Sequence, residues 1–246
     1  MAVVVSDGVE ISYELMNAGN QNIPIFFIAG LSGTRQGCLA QAIPFSKERP
    51  VVLHDHRGTG ESAKPSGVYT VENMAKDVIR IMDDAGIEKA HVVGTSTGGA
   101  IAQHLCLDYR SRVQTAAICC SWPKTDAFFR RQFEMRKLVL LKLGTEAATQ
   151  LASTVLYDPR IFTDQFEEIT EREKIHISRA AAPEIDAERI DAILAHDQLS
   201  RLPEIDVPVL VVCAKNDAVC PPYFSQQIAD AIPDAKLRLY EDGGHF

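Results

Sequence analysis

Gly94-Thr95-Ser96-Thr97-Gly98-Gly99 follows directly on the apolar run Ala90-His91-Val92-Val93 and leads into a second apolar stretch, Ala100 to Tyr109. The pattern reads as a buried strand that turns abruptly into a helix with a serine at its apex. A serine in such a turn is held in a strained conformation that projects its hydroxyl clear of the sheet. The turn presses strand and helix backbones together, and glycines at 94, 98 and 99 leave room for that approach. Between a strand and a helix, G-x-S-x-G is a strong signal for a nucleophile.

The flanking sequence alternates in the same way. Val3-Val4-Val5 and Val9-Glu10-Ile11-Ser12-Tyr13 flank the turn Ser6-Asp7-Gly8 and predict a hairpin. Ile25-Phe26-Phe27-Ile28 and Val51-Val52-Leu53 are short continuous apolar runs, as expected of parallel strands buried on both faces. Val71 to Ala85 places Met74, Val78, Ile81 and Met82 on one helical face. After the strand at 113–118, four helical segments run consecutively: 126–143, 145–156, 161–179 and 187–196. Alternation resumes with strand 209–212, helix 222–231 and strand 236–240. We expect an α/β fold, a mostly parallel doubly wound sheet, with residues 1–121 and 202–246 forming the core and 122–201 an inserted helical cap.

At 246 residues the chain suits one large α/β domain. Its net charge of −8 argues against nucleic acid and anionic membrane surfaces as partners. No apolar run reaches transmembrane length, and the N-terminus lacks a basic leader. Cys38, Cys106, Cys119, Cys120, Cys213 and Cys220 have no metal-ligand spacing. They read as reduced core thiols of a cytoplasmic protein. His54 and His56 flank Asp55 without a third ligand at convincing spacing, so no metal is expected. His91, His104, His176 and His196 read as packing or surface residues. Homo-oligomerisation stays open.

A serine hydroxyl needs a base, and the base needs an orienting acid. Asp217 lies just past strand 209–212 and His245 just past strand 236–240, at the sheet edge where such folds build their sites. The chain order Ser96, Asp217, His245 suits this architecture. Asp242 is a rival acid, better placed to cap or solvate its own loop.

With these motifs in order, the chain resembles the α/β-hydrolases over nearly its whole length. Asp55-His56-Arg57-Gly58-Thr59-Gly60-Glu61-Ser62 matches the family's D-x-R-G-x-G-x-S loop, Asp217 with Pro221 its acid loop, and Gly244-His245 its base loop. Ala29-Gly30-Leu31-Ser32-Gly33 occupies the oxyanion loop, where the family often has His-Gly; because a backbone N–H serves there, Leu31 fills the role together with Thr97. Arg57 reads as structural. The resemblance implies cofactor-free acyl transfer through a Ser96–His245–Asp217 triad.

Within the family the chain is similar to the branch of 3-oxoadipate enol-lactonases, aminoacrylate hydrolases and carboxylesterases. That implies a small ester, lactone or enamide-type substrate bearing a carboxylate. Residues 124–142 carry six cations against two anions. This local excess is either a solvated face with Arg130–Glu134 paired, or a site for a carboxylate. Trp122, Arg130 and Arg131 are the expected substrate-binding residues, with Arg136 behind them. A C–C hydrolase, thioesterase or perhydrolase on the same triad, or a slow-turnover ligand receptor, stays open at this point. The chain stops one residue after His245. We therefore expect a longer natural protein or a partner chain covering apolar surface over strands 209–212 and 236–240.

Overall fold

The computed structural model describes residues 1–245. One sheet is built from β1 (Ala2–Ser6), β2 (Val9–Met16), β3 (Ile25–Ile28), β4 (Val51–His54), β5 (Ala90–Thr95), β6 (Val113–Cys119), β7 (Val209–Ala214) and β8 (Lys236–Tyr240). The spatial order is β1-β2-β4-β3-β5-β6-β7-β8. The β1–β2 and β2–β4 pairs are antiparallel and the remaining pairs parallel. The apolar runs of β3 and β4 are buried at every position.

Helices α1 (Arg35–Ser46), α2 (Val71–Asp84), α3 (Thr97–Asp108) and α8 (Pro222–Ala231) pack against the sheet. In α2 the Thr70 side chain accepts from the Asn73 amide and caps the helix, while Met74, Val78, Ile81 and Met82 reach the core at 0–1% exposure. Helix α3 is buried from Thr97 through Cys106, as a central helix must be. Helix α1 has no counterpart in the sequence reading: its apolar residues do not gather on one face, and Pro44 lies inside it.

Between β6 and β7 the chain forms α4 (Ala127–Leu156), α5 (Pro159–Asp164), α6 (Phe166–Arg179) and α7 (Pro183–Leu194). Asp126 caps α4 by accepting from the Phe129 amide at 2.8 Å. The helix breaks at Gly144, whose φ of 88° and ψ of 178° lie outside the helical region and suit only glycine. Along β7 and β8, Leu210 (41% exposed) and Tyr240 (53%) stay open beside Lys236 and Arg238, so the uncovered surface is part apolar and part basic.

Candidate active site

Ser96 joins β5 to α3 with φ 57° and ψ −116°, a strained conformation for a residue with a side chain. Its amide donates to the Cys119 carbonyl at 2.8 Å, and its carbonyl accepts from the Gly99 amide at 2.8 Å. A Cβ on Gly94 would collide with the Gly98 backbone, and one on Gly98 with the Ile28 carbonyl. The turn is therefore closed to any larger residue at either position.

Asp217, in the loop after β7, is 3% exposed, and its Oδ1 accepts the amides of Val219 and Cys220 at 2.8 Å each. His245, after β8, is 2% exposed, with Nδ1 at 2.9 Å from Asp217 Oδ2 and 3.0 Å from Oδ1. With Nδ1–H given to the carboxylate, Nε2 keeps its lone pair. Asp242 pairs instead with the exposed Arg160 at 3.6 Å.

The loop after β3 is held from two sides. His56 Nε2 lies 3.0 Å from the Ala29 carbonyl, and Arg189 Nη2 donates to the Leu31 carbonyl. Burial keeps His56 neutral, with its pKa lowered to about 4. Arg189 is itself fully buried and pairs with Asp186 at 3.0 Å. Gly30 lies against the serine: a Cβ there would sit 3.4 Å from Ser96 Cβ. Thr97 opens α3, so its amide has no carbonyl partner within the helix.

Ser96, His245, Gly30 and Leu31 line one cavity of about 320 Å³ closed over by α4, α6 and α7. The volume suits a small molecule. Most of the wall is apolar, and the charged or titratable groups on it besides His245 are Arg136, Tyr157, Arg172, Glu173, His176 and Asp186. Arg172 is paired with Glu168 at 2.6 Å. Arg136 has no carboxylate partner among the described residues; its guanidinium lies 4.6 Å from the centroid of the Phe133 ring. Burial lowers its pKa to about 10.

Residues 45–246 match the family described as serine aminopeptidase, S33. The chain belongs to the α/β-hydrolases. It is 36% identical to an Azorhizobium caulinodans protein bearing the provisional name carbamate hydrolase RutD, across 96% of this chain and 88% of that relative. Among solved structures, the enol-lactonase from Burkholderia xenovorans LB400 superposes with a TM-score of 0.92 at 22% identity, over 99% of this chain and 92% of that one. Est816, described as an N-acyl homoserine lactone degrading enzyme, superposes with a TM-score of 0.86 at 29% identity, over 99% and 93%.

Three of the expected substrate contacts of this hydrolase lie elsewhere. Trp122 is fully buried and stacks on Phe129 with ring centroids 4.4 Å apart, so it packs the base of the cap and does not line the cavity. Arg130 and Arg131 are exposed on the outer side of α4. Arg130 borders a shallow groove with Glu134 and Lys137; among the described residues no Arg130–Glu134 ion pair forms, and Lys137 pairs with Asp191 at 2.6 Å. Arg136 takes the inward position because Phe129, Phe133, Arg136 and Leu140 recur at i, i+4, i+7 and i+11, the stripe that faces the core. That spacing was the available signal. His176, Asp186 and Arg189 carry no such mark in sequence.

His54 packs edge-on against Phe26 and His56. Arg57 forks onto Asp77 at 2.7 and 2.8 Å, tying its loop to α2. Among the described residues, no helix is long and apolar enough to cross a membrane.

Proposed function

We propose that this hydrolase cleaves a small ester, lactone or amide-type acyl compound bearing a carboxylate, through a Ser96 acyl-enzyme. His245 takes the Ser96 proton as Oγ adds to the substrate carbonyl, then returns it to the leaving group. Water repeats the attack on the acyl-enzyme with His245 again as base. Asp217 orients the imidazole and stabilises the imidazolium. The amides of Leu31 and Thr97 receive the developing oxyanion.

The observation that carries the substrate class is Arg136, a guanidinium without a carboxylate partner on the wall of the cavity that Ser96 and His245 share. Leaving an ionised group uncompensated in an apolar wall is costly, and a substrate carboxylate offsets that cost. Among the described residues neither cap carboxylate on the wall pairs with Arg136: Asp186 is held by Arg189, and no ion pair joins Glu173 to it. The names of the relatives, a carbamate hydrolase and two lactone-directed enzymes, support acyl hydrolysis of small molecules.

The test compares small acids with their methyl esters. A charge-assisted bond of this kind contributes roughly 1.5–3 kcal/mol, so Arg136→Gln raises KM for the acid about 10- to 100-fold. The methyl ester is barely affected. Equal cleavage of acid and ester, unchanged by Arg136→Gln, overturns the carboxylate reading and leaves a broad esterase.

A further inference from the structure

Behind Asp217, away from the substrate, lies a cluster that the proposed reaction does not use. Cys120 follows β6 directly and Cys213 lies near the end of β7; the register Cys119↔Val212 makes them lateral neighbours across the sheet. Their sulfurs and a carboxylate oxygen of Asp217 all lie within 4.8 Å of one another. All three residues are buried, at 8%, 1% and 3% exposure. Cys120 holds a positive φ of 50°, a conformation an L-residue adopts only when its surroundings impose it. Ser225 on α8 is also fully buried and faces the Cys213 thiol, and its Oγ has no hydrogen-bond partner among the described residues.

We propose that Cys120, Cys213 and Asp217 form a site for a soft divalent cation such as zinc or cadmium, and that its occupation switches turnover off. Two sulfurs and a carboxylate oxygen are the donor set these ions prefer. Around tetrahedral zinc, with Zn–S bonds of about 2.3 Å, two sulfurs stand about 3.8 Å apart. The two sulfurs therefore need to close by about 1 Å at most, and Ser225 Oγ beside them offers a fourth donor.

Binding releases one proton from each thiol to solvent, forms two sulfur–metal bonds and one oxygen–metal bond, and moves no electron. The inhibition rests on the reading of Asp217 as the triad acid. A cation on that carboxylate withdraws the negative charge that orients and stabilises the protonated His245.

Cadmium is the probe, titrated into the full chain held reduced with a phosphine, with ultraviolet thiolate-to-metal absorption and turnover followed together. We expect one equivalent to bind, the absorption to grow and turnover to fall in step. Cys120→Ser and Cys213→Ser each keep metal-free turnover, lose the absorption and resist inhibition. Their affinity for cadmium drops by at least about 100-fold, the upper end of what losing even an outer-shell partner costs. Cys38→Ser, remote from the cluster, behaves as the parent chain. Should either serine variant fail to fold by circular dichroism, the alanine variant at that position takes its place. The parent titration is decisive in any case: absence of the absorption overturns the site. Absorption surviving in both folded variants overturns it equally. Cadmium bound with turnover undiminished overturns the switch, and Ser96→Ala and Asp217→Asn kinetics test the triad separately.

Discussion

Arg189, on cap helix α7, donates to the backbone carbonyl of Leu31 in the loop after β3. The same loop is held at the Ala29 carbonyl by His56, from the opposite end. A cap residue thus fixes the peptide that follows the proposed oxyanion donor. Losing such a donor outright costs roughly 10²–10³ in kcat, so loosening it costs about tenfold or more. Arg189→Met should lower kcat by at least that factor with KM changed less, and Arg189→Lys should fall between. Steady-state kinetics on one ester settle it: an unaltered kcat in Arg189→Met removes the strut from catalysis.

Ser96→Ala and His245→Ala should each reduce kcat by roughly 10⁶-fold, and the double variant by hardly more, because the residues act as a unit. Asp217→Asn should cost roughly 10⁴-fold by presenting the wrong tautomer to Ser96. Burst kinetics with a chromogenic ester measure all of these. More than a few per cent of residual activity in Ser96→Ala excludes it as the nucleophile.

Arg136 makes the binding of acids pH-dependent. Burial lowers its pKa to about 10, so the guanidinium loses its proton as pH rises through that value. KM for an acid substrate should climb there while KM for the methyl ester stays level. Arg136→Gln should abolish the difference. A parallel rise for acid and ester would place the titration elsewhere.

Three buried histidines make the fold acid-sensitive. Desolvation lowers His56 to about 4 and His196 to about 3, and holds His54 well below its ordinary value of 6.5. Below pH 6.5 the unfolded chain takes up protons at these rings while the folded chain does not, so stability is complete above that pH and falls as pH drops. At pH 5 the loss is on the order of 2 kcal/mol each for His56 and His196. Thermal melting from pH 8 to 5 should show Tm declining by roughly 2–4 °C for each kcal/mol lost. His196→Gln should make the decline shallower, and an identical slope would count against the assignment.

The chemistry at the ends of strands was legible because it is local. The serine turn and the Asp217 loop each follow an apolar run that can only be a buried strand, and the His245 loop follows the alternating, half-open strand 236–240. Gly144 likewise marked the break in α4, since a residue with φ 88° must be glycine or strained. Two other features were invisible for opposite reasons. In residues 124–142 net charge drew attention to Arg130 and Arg131, whereas the inner stripe set by Phe129, Phe133 and Leu140 selects Arg136. The cysteine cluster assembles across strands, so spacing along the chain gives no hint that Cys120 and Cys213 share one level of the sheet. Helix α1 was unreadable because its apolar residues do not gather on one face.

The segment carrying His245 is fastened to the cap. Its amide donates to the Leu156 carbonyl at 2.8 Å, where α4 ends, and the Gly244 amide donates to Asn216 Oδ1 at 3.0 Å. Asn216 in turn donates to Asp158 at 2.7 Å, where α5 begins. A cap that lifts at this end carries Leu156 and Asp158 with it and slackens the support of the imidazole. The placement of this end of the cap and the placement of the His245 ring are therefore set by the same few hydrogen bonds.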